Sequence, residues 1–425
     1  MTLLVANLDC EADWASAWPS SGPSSASAPR PVPLSVAARN AAAIAGSLMR
    51  GLATGPEDRL WLAAPLDESA LDDGVGLPRP ALVGGPLGQV PGTGSVLGWG
   101  ETPALAALRQ RCGVPPSAAA RATGPDADGA HPAPEPSVRE PRATDPRQLG
   151  ATLLDLFPPD PDTAARANHR GLSLRMAQEH GWALPGARML DSFEAIERHL
   201  AAGGAASAPE QRWVLKTPLS AAGRDRVHGR GAHLAEPGAR RRCVELLRWQ
   251  GSLRFEPWMT RLDDWGMVGL VDRAGPWPIG LHRQLTDPFG RFQGLELAQG
   301  AASIEAAGRA LGLPDPAVST IRTAFEVAGV ALAGIGYRGA FGVDAWRYRD
   351  PDGRVRMQPL GEINARVTMG LVGQSLIAGI APTMGWPSGR VRLRLGARRA
   401  QEPDCLRLAH SGGFAAWLEP GRQQP

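Results

Sequence analysis

Gly339-Ala340-Phe341-Gly342-Val343-Asp344-Ala345-Trp346 and Met357-Gln358-Pro359-Leu360-Gly361-Glu362-Ile363-Asn364-Ala365-Arg366 read as the two arms of a β-hairpin, and the reading of that hairpin decides the fold. Between them, Asp350-Pro351-Asp352-Gly353-Arg354 has proline at the first turn position and glycine where a positive φ is wanted, which fits a three-residue loop with a glycine bulge. With Asp350 facing Arg354, counting back along both strands sets Asp344 opposite Leu360 and diagonal to Glu362. Diagonal neighbours on one face lie about 7 to 8 Å apart, a separation that one or two oxygen-seeking cations bridge. Because side chains alternate along a strand, Glu362, Asn364 and, if the strand continues, Arg366 share that face. Magnesium takes hard oxygen ligands and is commonly held by one or two carboxylates together with substrate phosphates. Asp344, Glu362 and Asn364 are therefore suitable metal ligands. The competing reading is a set of polar residues on an exposed strand face, the commonest fate of a single Asp or Glu. Met357, Pro359 and Leu360 weigh against it, because they make the strand look partly buried and buried carboxylates require a cation.

Outward from the hairpin, the next informative stretch is Trp213-Val214-Leu215-Lys216-Thr217-Pro218-Leu219-Ser220-Ala221-Ala222-Gly223-Arg224, an apolar strand running into a glycine-containing loop. Lys216 is the sole lysine of the 425-residue chain. An ammonium is a compact point charge on a flexible stem, whereas a guanidinium is a planar fork suited to two oxygens at once. A lone lysine beside such a loop is a phosphate-contact candidate. Against it stands compositional drift toward arginine in a chain rich in Ala, Gly, Pro and Arg.

The length allows two or three domains at roughly 100 to 200 residues each. A formal net charge of +3 with both signs dispersed does not suggest a nucleic-acid partner. Cys10, Cys112, Cys243 and Cys405 show no Cys-x-x-Cys spacing and read as reduced thiols rather than a zinc site or a disulfide framework. The start, Met1-Thr2-Leu3-Leu4-Val5-Ala6-Asn7-Leu8-Asp9, fits a first strand better than a signal peptide. No uncharged apolar stretch approaches the roughly 18 residues of a membrane span, so a cytoplasmic protein without a membrane partner is expected.

Residues 1–150 alternate short apolar runs (3–7, 59–64, 81–83, 95–99) with Pro/Gly-rich connections, and an Ala-rich helical stretch spans 36–52. This pattern predicts a small β/α layer domain, interrupted at 18–34 and 115–147 by Pro/Ala/Ser/Gly stretches expected to be mobile loops. From Leu149 the apolar periodicity becomes denser. Helices are predicted over 168–181, from Asp191-Ser192-Phe193-Glu194 with its capping-box look, over 238–250 and 315–333, and from Thr368. Strands are predicted over 212–217, 253–259, 266–271, 278–285, 341–349 and 355–364. The Arg240-Arg241-Arg242 run reads as a solvated helix face, and Trp249, Trp265 and Trp277 as packing residues.

In this order the features resemble the ATP-grasp superfamily, which includes D-alanine:D-alanine ligases, biotin carboxylase and carbamoyl phosphate synthetase. The resemblance covers about residues 168–370. Gly361-Glu362-Ile363-Asn364-Ala365-Arg366 is similar to the family's Glu-x-Asn metal strand with its following Arg, and Gly336-Tyr337-Arg338-Gly339 looks like the approach to the first metal carboxylate. The fold so implied is α/β (α+β): an N-terminal Rossmann-like β/α domain (1–150), then a two-subdomain ATP-grasp domain (151–400) with a small lid at about 182–260 and a large metal-binding part at about 261–400, and a C-terminal tail (401–425). By position, Asp344, Glu362 and Asn364 would hold magnesium (or manganese) between the phosphates of ATP. Lys216 would head the loop over those phosphates, with Ser220, Gly223 and Arg224 in it, and Asp225 departs from the family's more glycine-rich pattern there. Arg170, in Asn168-His169-Arg170, would match a basic residue at a helix start. Glu256-Pro257-Trp258-Met259 resembles the hinge that meets adenine, and Asp263 falls where an acidic residue binds the ribose hydroxyls.

The resemblance implies an ADP-forming ligase that joins carbon to nitrogen. A small-molecule or peptide carboxylate would be activated as an acylphosphate and transferred to an amine acceptor, with a homodimer as the assembly allowed for. Arg366 and Arg338 are candidates for binding the carboxylate or the transferring phosphoryl group. His282 and Arg283 lie on a strand expected to face the same cleft, where His282 reads as a proton relay or, more commonly for a lone strand histidine, as a structural residue. The alternatives are a kinase or phosphotransferase on the same nucleotide site, and a non-catalytic nucleotide-binding partner protein. Neither the acid nor the amine is identified by the sequence.

Overall fold

The computed structural model describes residues 1–17, 35–71, 76–91, 94–114, 146–156, 158–202, 211–220, 225–232, 234, 237–287, 290–386, 388–397 and 405–421. The loops expected to be mobile at 18–34 and 115–147 lie outside them, apart from residues 146 and 147, which open a helix.

The N-terminal part contains β1 (Thr2–Ala6), α1 (Cys10–Ala17), α2 (Val36–Ser47), β2 (Arg59–Leu62), β3 (Ala81–Val83), β4 (Ser95–Gly98) and α3 (Pro103–Arg111). Its strands form a parallel sheet in the order β3-β2-β1-β4. β1 is buried at every position, as expected of a parallel strand covered on both faces. Three helices follow: α4 (Pro146–Asp155), α5 (Pro161–Asn168) and α6 (Arg170–Glu179). The single helix predicted over 168–181 is thus interrupted at His169, whose ring accepts a hydrogen bond from the Gly171 amide and caps α6.

The next part comprises β5 (Arg188–Leu190), α7 (Phe193–Ala201), β6 (Arg212–Lys216), β7 (Arg226–Arg230), α8 (Pro237–Gln250) and β8 (Leu253–Pro257). Ser192 caps α7 by accepting from the Ala195 amide, as its sequence indicated. The strands form an antiparallel sheet, β5-β8-β6-β7, whose core of Leu190, Ile196, Trp213, Leu215, Leu246 and Phe255 lies against α7 and α8. Arg240 stacks over Phe193 and Arg242 pairs with Asp225 at 2.7 Å, so the Arg240-Arg242 run is engaged rather than merely solvated.

The largest sheet contains β9 (Thr260–Asp272), β10 (Gly275–Thr286), β11 (Phe292–Gln299), then, after α9 (Ile304–Leu311) and α10 (Asp315–Gly334), β12 (Gly339–Arg349) and β13 (Val355–Asn364), and after α11 (Met369–Ile380), β14 (Gly389–Ala397), β15 (Leu406–Ser411) and β16 (Phe414–Pro420). Its order is β13-β12-β9-β10-β11-β14-β16-β15. One face, with Met267, Leu281, Phe341 and Val343, packs on α9 and α10. The other, with Val268, Leu295 and Leu297, packs on α11. α10 is the one described helix long and apolar enough to cross a membrane by composition, and Ile321, Phe325, Ala328 and Leu332 bury it in this core.

Two expectations are corrected. Most of the expected tail at 401–425 forms β15 and β16, joined through Gly412 and Gly413, both at positive φ as a tight two-residue hairpin turn requires. Arg50 donates to the Leu408 carbonyl at 2.8 Å and Leu71 bridges to Ala409, which ties this edge to the N-terminal part. The second concerns the register of the opening hairpin. Asp350 and Arg354 do face each other, but a bulge between Asp344 and Trp346 moves Asp344 directly opposite Glu362 instead of Leu360. Pro359 has no N–H for the ladder, which β13 accommodates by bulging at the sheet edge. The Trp346 ring covers Gly361 so closely that a Cβ there would lie 1.7 Å from it.

Candidate active site

The alternation of side chains gathers Asp344, Glu362, Asn364, Gln284 and His282 on the α11 face of the large sheet. Asp344 accepts from Gln284 Nε2 at 2.7 Å and from Asn364 Nδ2 at 3.1 Å. Burial, followed by the charge of Glu362 directly across the ladder, raises the Asp344 pKa to about 6. Glu362 accepts from Arg170 at 2.9 Å. Burial would raise its pKa, but Arg170, Lys216 and Arg226 outweigh that and lower it. Two facing carboxylates, Glu362 bound by Arg170 and Asp344 met only by neutral amides, form an electron-rich oxygen set, and the donors are those magnesium favours. Among the described residues no group of three or more His, Cys, Asp or Glu side chains is placed to hold a metal ion, and this set has two carboxylates and an amide. Asn364 turns Oδ1 toward Arg366 Nη2 at 3.0 Å, so it would rotate to offer that oxygen to a cation.

Lys216, at the end of β6, is 8% exposed and donates to Glu256 on the neighbouring β8. Burial lowers its pKa to about 8, partly offset by Glu256. Glu256 also binds Arg254 at 2.5 Å, and Arg254 reaches on to the Gly361 carbonyl at 3.0 Å and Ser173 Oγ at 3.1 Å. Neither Arg254 nor Arg226 was singled out in the sequence. Both sit on strands of the β5-β8-β6-β7 sheet, a signal that becomes useful only once the pairing of that sheet is known. A cleft of about 550 Å³, lined by Lys216, Arg226, Trp258, Met259, Asp264 and Gln284, separates this sheet from the large one. It is large enough for a small-molecule ligand, which typically occupies roughly 300 to 1,000 Å³. Trp258 gives its amide to the Arg212 carbonyl at 2.8 Å, stacks edge-on with His228 and lies beside Met259 in the connection between β8 and β9.

Other expected residues are placed differently. Arg170 reaches the site, but it also donates to the Thr217 carbonyl at 2.5 Å and to Ser220 Oγ and O at 2.8 and 2.9 Å. It therefore fastens Ser220 and Glu362 together rather than facing the cleft. Asp263 is 7% exposed at its side chain and bound by Arg347 and the Trp265 indole, which takes up the carboxylate expected at the ribose. Arg283 lines the cleft but pairs with Glu296 at 3.7 Å across from Trp265, on the sheet face opposite Asp344. Arg338 donates to the carbonyls of Ala333 and Tyr337 at 3.1 and 2.7 Å, where it closes the end of α10. Arg366 does lie one step beyond Asn364, held at 2.6 Å by Glu11 of α1. Gly223 and Arg224 lie outside the described residues. Asp225, the departure from the glycine-rich pattern, adopts φ 55, a left-handed conformation that Asp tolerates. His282 is buried in a slot left by Gly266 and Gly370, and burial lowers its pKa to about 4.

No protein-family model matches the sequence, and no curated protein matches it. Solved structures do match. N5-carboxyaminoimidazole ribonucleotide synthetase from Thermus thermophilus aligns over 89% of this chain and 91% of its own, with 12% identity and a TM-score of 0.50. Biotin carboxylase from Campylobacter jejuni, solved as a β-γ-ATP complex, aligns over 99% of this chain and 87% of its own, with 11% identity and a TM-score of 0.51. The likeness is one of fold, and the chain has the ATP-grasp fold expected from its sequence.

Proposed function

We propose that the protein is an ATP-dependent ligase that activates a carboxylate as an acylphosphate and joins it to an amine, releasing ADP and phosphate. The observation that carries this reading is the direct pairing of Asp344 with Glu362 beside Asn364, with Lys216 close enough to Glu362 to depress its pKa. The nucleotide would lie in the cleft between the two antiparallel sheets, with its base at the Trp258–Met259 hinge and its phosphates toward Lys216. Asp344, Glu362 and Asn364 would hold magnesium or manganese, which when bound neutralises phosphoryl charge and aligns the attacking and leaving oxygens.

In the first step a carboxylate oxygen of the acid forms a bond to the terminal phosphorus as the bond from that phosphorus to the ADP oxygen breaks. The amine nitrogen then attacks the acyl carbon, phosphate leaves with the acyl oxygen, and the nitrogen gives up a proton to solvent. Both reactants of the first step are anions, so catalysis rests on charge neutralisation and alignment. Lys216 supplies a point charge at the phosphates, and Arg366, tied at one side to Glu11, presents a guanidinium where the metal strand ends. His282, with its depressed pKa, is neutral near pH 7 and carries no charge into the site.

The test mixes purified protein with ATP, magnesium and pools of carboxylates and amines. Release of ADP and phosphate that requires both an acid and an amine supports a ligase. A phosphorylated product without free phosphate overturns it.

A further inference from the structure

We propose that Arg226, paired in register with Lys216, and not Arg170, is the guanidinium that grips the phosphates of the nucleotide. This rests on the nucleotide reading of the cleft. Arg170 is committed elsewhere: its two Nη groups donate four hydrogen bonds, to the Thr217 carbonyl, Ser220 Oγ, the Ser220 carbonyl and Glu362, and its side chain is 4% exposed. No Nη donor remains for a ligand.

Arg226 stands in the opposite condition. It lies directly across the β6–β7 ladder from Lys216, so the two side chains share one face of the lid sheet, and both line the cleft. Opposed side chains have Cβ atoms about 4.5 to 5.5 Å apart, and like charges so placed are destabilising. Among the described residues Arg226 makes no hydrogen bond or ion pair. The acidic groups whose charge reaches it, Glu362 and Glu256, are already bound by Arg170, and by Arg254 and Lys216. The residues joining Ser220 to Asp225 are Ala221, Ala222, Gly223 and Arg224, which add no acid. The fold thus holds two cations face to face at a cleft with fewer carboxylates than guanidinium and ammonium groups. A ligand with several negative charges relieves that repulsion, and a planar fork beside a point charge suits adjacent phosphates, where one binds two oxygens and the other binds one.

Calorimetric titration of wild type, Arg226→Gln and Arg226→Lys with magnesium AMP-PNP, ADP and adenosine tests this, together with thermal unfolding of the nucleotide-free proteins. Arg226→Gln should weaken AMP-PNP and ADP binding about 10- to 100-fold. It should leave adenosine within about twofold and keep the nucleotide-free unfolding midpoint at or above that of wild type, because a like-charge pair is relieved. Arg226→Lys should recover part of the phosphate affinity. AMP-PNP affinity within about twofold of wild type in Arg226→Gln overturns the proposal, as does adenosine weakened as much as AMP-PNP, or a lowered midpoint. Wild-type protein that binds none of the three removes the nucleotide reading and this proposal with it, an outcome separate from wild-type binding that the substitution leaves intact.

Discussion

Glu256→Gln probes the electrostatics of the cleft most directly. Glu256 is 2% exposed and accepts from Lys216 on one oxygen while the other meets Arg254 at 2.5 Å. Burial would raise its pKa, but Arg254 and Lys216 lower it from 4.5 to about 2. At about 1.4 kcal/mol for each tenfold change in proton affinity, this is roughly 3 kcal/mol of stability. The folded state holds this proton less tightly than the unfolded one, so the contribution is complete above pH 4.5 and is lost as pH falls through about 2. Lys216 acts in the opposite direction. Burial lowers its pKa from 10.5 to about 8, so carrying the charge costs the folded state roughly 3 kcal/mol below pH 8, and that cost fades as pH rises toward 10.5. The two contributions nearly cancel at neutral pH, as is general for buried ion pairs. Glu256→Gln removes only the favourable one and leaves Lys216 facing Arg254, which should destabilise the protein by roughly 3 to 5 kcal/mol near pH 7. Lys216→Met removes the unfavourable one together with the lysine's share in stabilising the Glu256 charge, leaves Glu256 on Arg254, and should change stability by less than about 1 kcal/mol. Urea unfolding at about pH 7 and about pH 9.5 provides the measurement: at the higher pH the lysine in Glu256→Gln sheds its proton, and the deficit should shrink by about half. Equal deficits at both pH values, or a loss in Lys216→Met as large as in Glu256→Gln, would refute the reasoning.

Glu362→Gln should lower ATP turnover at least about 100-fold while circular dichroism stays unchanged; full activity would remove the metal assignment. Glu11→Leu leaves the Arg366 guanidinium buried without its carboxylate and should cost about 3 to 5 kcal/mol in urea unfolding, whereas the double variant with Arg366→Leu should regain most of it. Gly361→Ala places a methyl group against the Trp346 ring and should lower the thermal midpoint by an amount equivalent to about 1 to 3 kcal/mol; an unchanged midpoint would contradict the packed bulge.

Legibility in the sequence followed the range of the interactions involved. The four strands of the N-terminal sheet and the arms of the hairpin were visible because apolar runs and turn residues are local signals. β5, β7, β11, β14, β15 and β16 were missed, although Gly412-Gly413 between alternating apolar residues was a usable hairpin signal for the last two. The site divides the same way. Asp344, Glu362, Asn364 and Lys216 were named from residue type and spacing, and they converge. Arg338, Arg283 and Asp263 were named by position, and each is engaged with a structural partner that no local pattern reveals.

The sequence alone determined which residues could carry the chemistry: a strand with a carboxylate and an amide at alternating positions, a lone lysine at the head of a loop, and an order of elements that resembles the ATP-grasp superfamily. The tertiary structure decided which charges are available for a ligand. Pro359 cannot donate to the ladder, so the bulge rather than the turn sets Asp344 against Glu362. Burial forces each cation toward the nearest carboxylate or carbonyl, which consumes Arg170 and leaves Arg226 beside Lys216 without a paired acid among the described residues. A charge's partner depends on distances through space, and those distances exist only once the sheets have packed.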